Sequence, residues 1–189
     1  MPVEVDTVRA VSVPTRLVHG PGAVASLADE RTALVLSRPM LVTDPGVVAA
    51  GLAERVLPFL DDVVVFDEVR PNPDVALVDR AADVYRENGC DGLVAVGGGS
   101  SIDAAKAIGV VVAHGGSIAR YEWGRDPLEQ RIPRLVAIPT TAGTGSEVTL
   151  WAVITDHDRQ IKFNVGGTPL IGPHVALIDP ELMLGLPPA

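Results

Sequence analysis

Three consecutive glycines, Gly97, Gly98 and Gly99, separate an apolar run from a helix-forming stretch in "VGGGSSIDAAKAIG", residues 96–109. Lacking Cβ atoms, they can take positive φ and let a ligand approach the main chain. The helix that follows would present free N–H groups and a partial positive charge to an anion, typically a phosphate. Ser100 is placed to cap that helix, with Asp103 three residues on in a capping-box position. The spacing is not G-x-G-x-x-G, so the usual dinucleotide fingerprint is absent, and a tight turn without a ligand is the competing reading. A second stretch, "IPTTAGTGSEVT" (138–149), carries Thr140, Thr141, Thr144, Ser146 and Thr149 among glycines. Short hydroxyl side chains at this density can wrap the polar groups of a ligand, which a plain surface loop would not require.

The elements that must position these residues follow from hydrophobic patterning. Strands are predicted over 39–44, 62–66, 92–98 and 134–139, with 151–155 and 175–179 as further candidates. Helices are predicted over 46–60, 71–89 and 100–116. In the second helix, Asp74 is a plausible N-cap, Val75, Val78, Ala82 and Tyr85 share a face, and Gly89 ends the segment. The third is apolar nearly all round and is expected to be buried. Alternating strands and helices, with continuously apolar strands, predict an α/β fold: a parallel sheet covered on both faces. Such sheets bind ligands beyond the carboxyl ends of their strands. Asp44, Asn72, Gly97–Ser100 and Thr140–Thr141 all follow strand-like runs.

Composition narrows the class. The 189 residues are 47% hydrophobic, enough for a sizeable core, and suggest one domain over 1–189. A net charge of −9 without a basic cluster argues against nucleic acid. Apolar runs such as 107–113 are too short to span a bilayer, and the first residues, "MPVEVDTVRAV", do not resemble a signal peptide. The single cysteine, Cys90, fits a reducing compartment, and a soluble cytoplasmic protein is expected. There is no internal repeat or low-complexity tract.

Five stretches together resemble the iron-containing (group III) alcohol dehydrogenase family: "LVTDPG" (41–46), "PNPD" (71–74), "GCDGLVAVGGGSSIDAAKAI" (89–108), "IPTTAGTGSEVT" (138–149) and "VALIDPELMLGLPP" (175–188). They fall in the family's order and cover nearly the whole chain. The resemblance implies a Rossmann-like nucleotide-binding domain joined, in the family, to an all-helical metal domain. It implies NAD as cofactor, with its pyrophosphate on Gly97, Gly98, Gly99 and Ser100. Asp44 matches the position that meets the adenosine ribose. A carboxylate there would repel a 2′-phosphate, so NAD is favoured over NADP. Asn72 matches an asparagine near the cofactor, although a turn residue between two prolines explains it as well. Thr140 and Thr141 match a pair lying along the cofactor, and Thr144 and Ser146 are candidates for its phosphates or ribose. Lys162, in "QIKFN", matches a lysine near the nicotinamide ribose, the alternative being a solvated charge.

The family's metal, Fe2+ or Zn2+, is held by one aspartate and three histidines, all belonging to a segment beyond the closing "LPP". His19, His114, His157 and His174 show no metal-ligand spacing, and Cys90 has no base partner in sequence. The expected chemistry is that of an NAD-dependent oxidoreductase acting on an alcohol or its carbonyl product. This chain would be its cofactor-binding half, unable to turn over efficiently alone. An apolar interdomain face would favour self-association or docking with a separate helical half. The alternatives are a non-catalytic nucleotide-binding or interaction module, and a dehydroquinate-synthase-like lyase. The TAGTGSE loop and the lack of a substrate-phosphate cluster of lysines and arginines argue against the lyase.

Overall fold

The computed structural model describes residues 13–185; the readings made on 1–12 and 186–189 lie outside them. Among the described residues the strands are β1 (Arg16–His19), β2 (Pro39–Val42), β3 (Val64–Phe66), β4 (Gly92–Gly97), β5 (Arg134–Pro139), β6 (Trp151–Asp156), β7 (Ile161–Gly166) and β8 (Val175–Ile178). The α-helices are α1 (Leu27–Ala33), α2 (Pro45–Ala49), α3 (Val75–Glu87) and α4 (Gly99–His114). Six strands form one sheet in the order β1-β8-β5-β4-β2-β3, every pairing parallel. β6 and β7 stand apart as an antiparallel hairpin.

The central strands are buried on both faces, which is why their sequences are apolar without alternation. Met40, Leu93, Ala95, Leu135 and Ala137 point to one face, where α3, α4 and the hairpin cover them. Leu41, Val94, Val96, Val136 and Ile138 point to the other and pack on Leu27, Val47 and Leu177. Thus α2, which follows β2, and α4, which follows β4, lie on opposite faces. Neighbouring strands whose connections leave on opposite faces open a crevice at their carboxyl ends. β2 and β4 are such a pair, and Asp44 and the glycine turn sit there.

Asp74 caps α3 as expected, accepting from Leu77 N at 2.8 Å, and Gly89 follows the helix at φ 61°. The helix expected over 46–60 is not continuous. α2 ends at Ala49, Gly51 takes φ 69°, and the chain resumes as a 3-10 turn over Leu57–Phe59. Gly51 breaks the helix and Pro58 cannot continue its hydrogen bonding, so the apolar stripe is buried by turns instead. Residues 151–155 are a strand, but outside the main sheet. β1 and β7 have no counterpart in the sequence reading; β1 is too short and exposed to show a pattern.

Candidate cofactor cleft

α4 begins directly at the glycine turn, with Gly98 as its N-cap and no side chain capping its first N–H groups. The capping box expected from Ser100 and Asp103 is therefore not formed. Ser100 lies inside the helix, and its Oγ accepts from Asn72 N at 3.3 Å. Asp103 turns sideways to accept from Val153 N at 3.0 Å. The first N–H groups of α4 are left to whatever enters the crevice.

The glycines have distinct geometric reasons. Gly97 has φ 149°, and a Cβ there would stand 2.4 Å from Ser101 Oγ and 3.1 Å from Asp44 Oδ2. This close approach lets Ser101 Oγ donate to Asp44 Oδ2 at 3.0 Å. The open side of Gly98 faces Thr141 Oγ1, and that of Gly99 faces Ser146 Oγ and Thr144. The hydroxyl loop thus lies along the turn, and no side chain of the turn itself intervenes.

A cleft of about 940 Å³ opens here. Of the residues singled out in the sequence, Asp44, Gly98, Gly99, Ser100, Thr140 and Thr141 line it. Gly97, Thr144 and Ser146 do not line it; Thr144 and Ser146 stand beside Gly99. Asn72 and Lys162 stand together at its side: Lys162 Nζ donates to Asn72 Oδ1 at 2.7 Å. Asn72 takes φ 59°, a left-handed conformation that asparagine tolerates better than most residues. Asp44 caps α2, its Oδ1 accepting from Val47 N at 3.0 Å. Two hydrogen bonds leave a carboxylate further acceptor capacity on the cleft side.

The structure brings three further residues into play: Arg70 and Lys106, to which the sequence reading gave no role, and Asp103, which it read only as a capping partner. Arg70 lines the cleft from the loop after β3. Asp103 and Lys106 lie beneath the turn. Lys106 is fully buried, and its Nζ donates to Trp151 O at 2.8 Å and Thr149 Oγ1 at 3.1 Å. Burial pushes its amine down to about 8, against the opposing pull of Asp103 and Glu147. The signal was present: one lysine inside "AAKAIGVVVA", with a carboxylate three residues before it.

Among the described residues, no group of three or more His, Cys, Asp or Glu side chains converges to hold a metal ion. His114 accepts from Glu129 N and Gln130 N, and His157 lies 3.4 Å from Asp74. His174 accepts from Arg131 Nε at 2.9 Å, and burial with Arg131 and Arg134 pushes its ring down to about 4. The half-buried Cys90 thiol is raised by burial. No helix among the described residues is long and apolar enough to cross a membrane.

A parallel six-stranded sheet flanked by helices, with a glycine turn opening its longest described helix where the connections of neighbouring strands leave on opposite faces, defines a Rossmann-like α/β protein. A family model described as iron-containing alcohol dehydrogenase matches residues 14–180, and the chain belongs to that family. Choline dehydrogenase of Bacillus subtilis is 54% identical over 182 residues, covering 93% of this chain and 45% of that protein. NAD-dependent methanol dehydrogenase of Bacillus methanolicus is 41% identical, covering 93% and 46%. Among solved structures, sulfoacetaldehyde reductase from Bifidobacterium kashiwanohense in complex with NAD+ superposes with a TM-score of 0.89 at 35% identity, covering 96% of this chain and 48% of that one. The chain spans about half the length of the curated relatives it matches.

Proposed function

We propose that the cleft holds NAD and that the chain supplies the cofactor-binding half of an alcohol dehydrogenase. The observation that carries this is the uncapped first turn of α4, which faces a cleft lined by Gly98, Gly99, Thr140 and Thr141. Such a helix start binds a pyrophosphate through N–H groups and the helix dipole. An added Cβ at Gly99 would crowd Ser146 and Thr144, and one at Gly98 would occupy the space facing Thr141, so the cradle depends on their absence. Asp44 is placed to accept from ribose hydroxyls, and its charge opposes a 2′-phosphate. Lys162, oriented by Asn72, offers its ammonium to the other end of the dinucleotide. Bound NAD supplies the hydride acceptor.

The family's metal does not fit the residues described here, because no ligand group converges among them. No step is therefore assigned to a metal on this chain. The substrate is an alcohol or its carbonyl product, handled once a helical half is present. Trp123, 71% exposed, and the exposed Val153 and Ile161 support a docking or self-associating face at the hairpin.

Titration of the 189-residue chain with NADH and NADPH, followed by nicotinamide fluorescence, tests the reading. Saturable binding that prefers NADH is expected. Binding of neither would overturn it in favour of a module without cofactor function.

A further inference from the structure

Among the described residues β6 pairs with β7 along one edge, and its other edge has no partner strand beyond an isolated parallel bridge from Thr155 to Asp74. That edge meets α4 and the loop before α3. There the Trp151 carbonyl accepts from Lys106 Nζ, Val153 N–H donates to Asp103 Oδ2, and Thr155 N–H donates to Pro73 O at 2.9 Å. Residues 151, 153 and 155 alternate, so all three groups point to the same side of the strand. An Asp/Lys pair one helical turn apart thus does for β6 what a third strand would. The same ammonium donates to Thr149 Oγ1, at the end of the hydroxyl loop.

Stability alone does not explain this pair. Lys106 Nζ lies 3.7 Å from Asp103 Oδ1, an oxygen with no hydrogen-bond partner, and Glu147 Oε2 nearby is also unpartnered. A buried ion pair of this kind often does no better than apolar side chains of equal volume. What the pair fixes is register. It sets where the hairpin docks, and the hairpin carries Lys162 to Asn72 and hence to the rim of the glycine turn.

We propose that Asp103 and Lys106 are positioning residues of the cofactor cleft, a latch that docks the hairpin and the hydroxyl loop on α4. The positioning role rests on the cleft being a cofactor site; the latch itself does not. Hydrogen exchange of the hairpin amides and the NADH dissociation constant test the two separately. In Asp103→Ala the Val153 amide exchanges about tenfold faster or more, as local opening no longer breaks a charge-assisted bond. NADH binding weakens by about tenfold. Asp103→Asn, which keeps an accepting oxygen, recovers most of both losses. Lys106→Met, which keeps the volume of the stem, gives the same pair of readouts should Asp103→Ala fail to fold.

Wild-type exchange at Val153 and across the hairpin in these variants would overturn the latch, whatever the cofactor does. Faster exchange with an unmoved NADH dissociation constant would overturn the positioning role. A wild-type chain that binds no NADH would overturn the cofactor reading and the positioning role with it, while the exchange data still decide the latch.

Discussion

Lys162 Nζ reaches Asn72 Oδ1 at 2.7 Å, tying the hairpin to a loop ninety positions earlier in the chain. The same asparagine donates its backbone N–H to Ser100 on the glycine turn. One residue with a left-handed backbone therefore links an exposed ammonium to the first turn of α4, through its side chain on one side and its N–H on the other. Lys162→Met is expected to weaken NADH binding by about tenfold, the loss of one charge-assisted contact. Its thermal midpoint should barely move, because Lys162 is exposed. Calorimetric titration alongside a melting curve separates these effects, and an unaltered NADH affinity would remove Lys162 from the site.

Adjacent glycines should fail in different ways. At Gly97 an added methyl meets Ser101 at 2.4 Å, with φ at 149°. Gly97→Ala is expected to cost on the order of 3 kcal/mol in urea unfolding, overpacking and backbone strain adding together. At Gly98 the nearest atom is Thr141 Oγ1 at 3.4 Å, an ordinary contact. Gly98→Ala should fold nearly as well as the wild type yet lose most of its NADH affinity, because the methyl occupies the cradle. Equal stability losses at both positions would contradict this assignment.

Asp44 has two duties in the fold besides the one proposed for it. It caps α2 and accepts from Ser101. Asp44→Gly keeps much of the N-cap preference, so the stability loss should stay near 1 kcal/mol. The expected change is in selectivity: NADPH affinity rises relative to NADH once the carboxylate no longer repels a 2′-phosphate. The ratio of the two dissociation constants is the measurement, and a constant ratio would assign Asp44 to the fold alone.

Lys106 makes the stability of the chain depend on alkaline pH. Its amine is depressed to about 8 in the folded protein, against 10.5 for an ordinary lysine. Between these values the unfolded chain holds the proton that the folded chain has released. Stability therefore rises with pH across that window, and the burial cost is felt in full below pH 8. Lys106→Met should remove this rise, so the wild type and the variant diverge in chemical denaturation between pH 8 and 10.5. Parallel curves would mean that the ammonium is better solvated than its surroundings suggest.

Much of the site was legible because glycine and hydroxyl residues cluster visibly after apolar runs. Asp44 and the glycine turn sit where parallel-sheet rules place a ligand, and the cap at Asp74 followed from its position before an apolar stripe. The helix expected over 46–60 was misjudged because its spacing is helical although Gly51 and Pro58 interrupt it. The hairpin was harder. β6 is as apolar as a central strand, and only β7, with Lys162 and Asn164 on its exposed face, reveals that it lies outside the main sheet. Asp103 was read as a cap because local spacing fits one. Its true partner, Val153, lies fifty positions away, a relation no window of sequence contains.

Among the described residues β1 has one neighbour in the sheet, β8, with Arg16 opposite Val175. During synthesis β1 therefore leaves the ribosome long before β8 exists. The central β2–β4–β5 ladder can assemble while β1 waits for β8. Closing the sheet requires the most distant pairing in the described chain and should fall late in folding, as a contact of high sequence separation. Nascent chains released before residue 178 should remain sensitive to protease at residues 16–19 while the ladder around β4 is already protected.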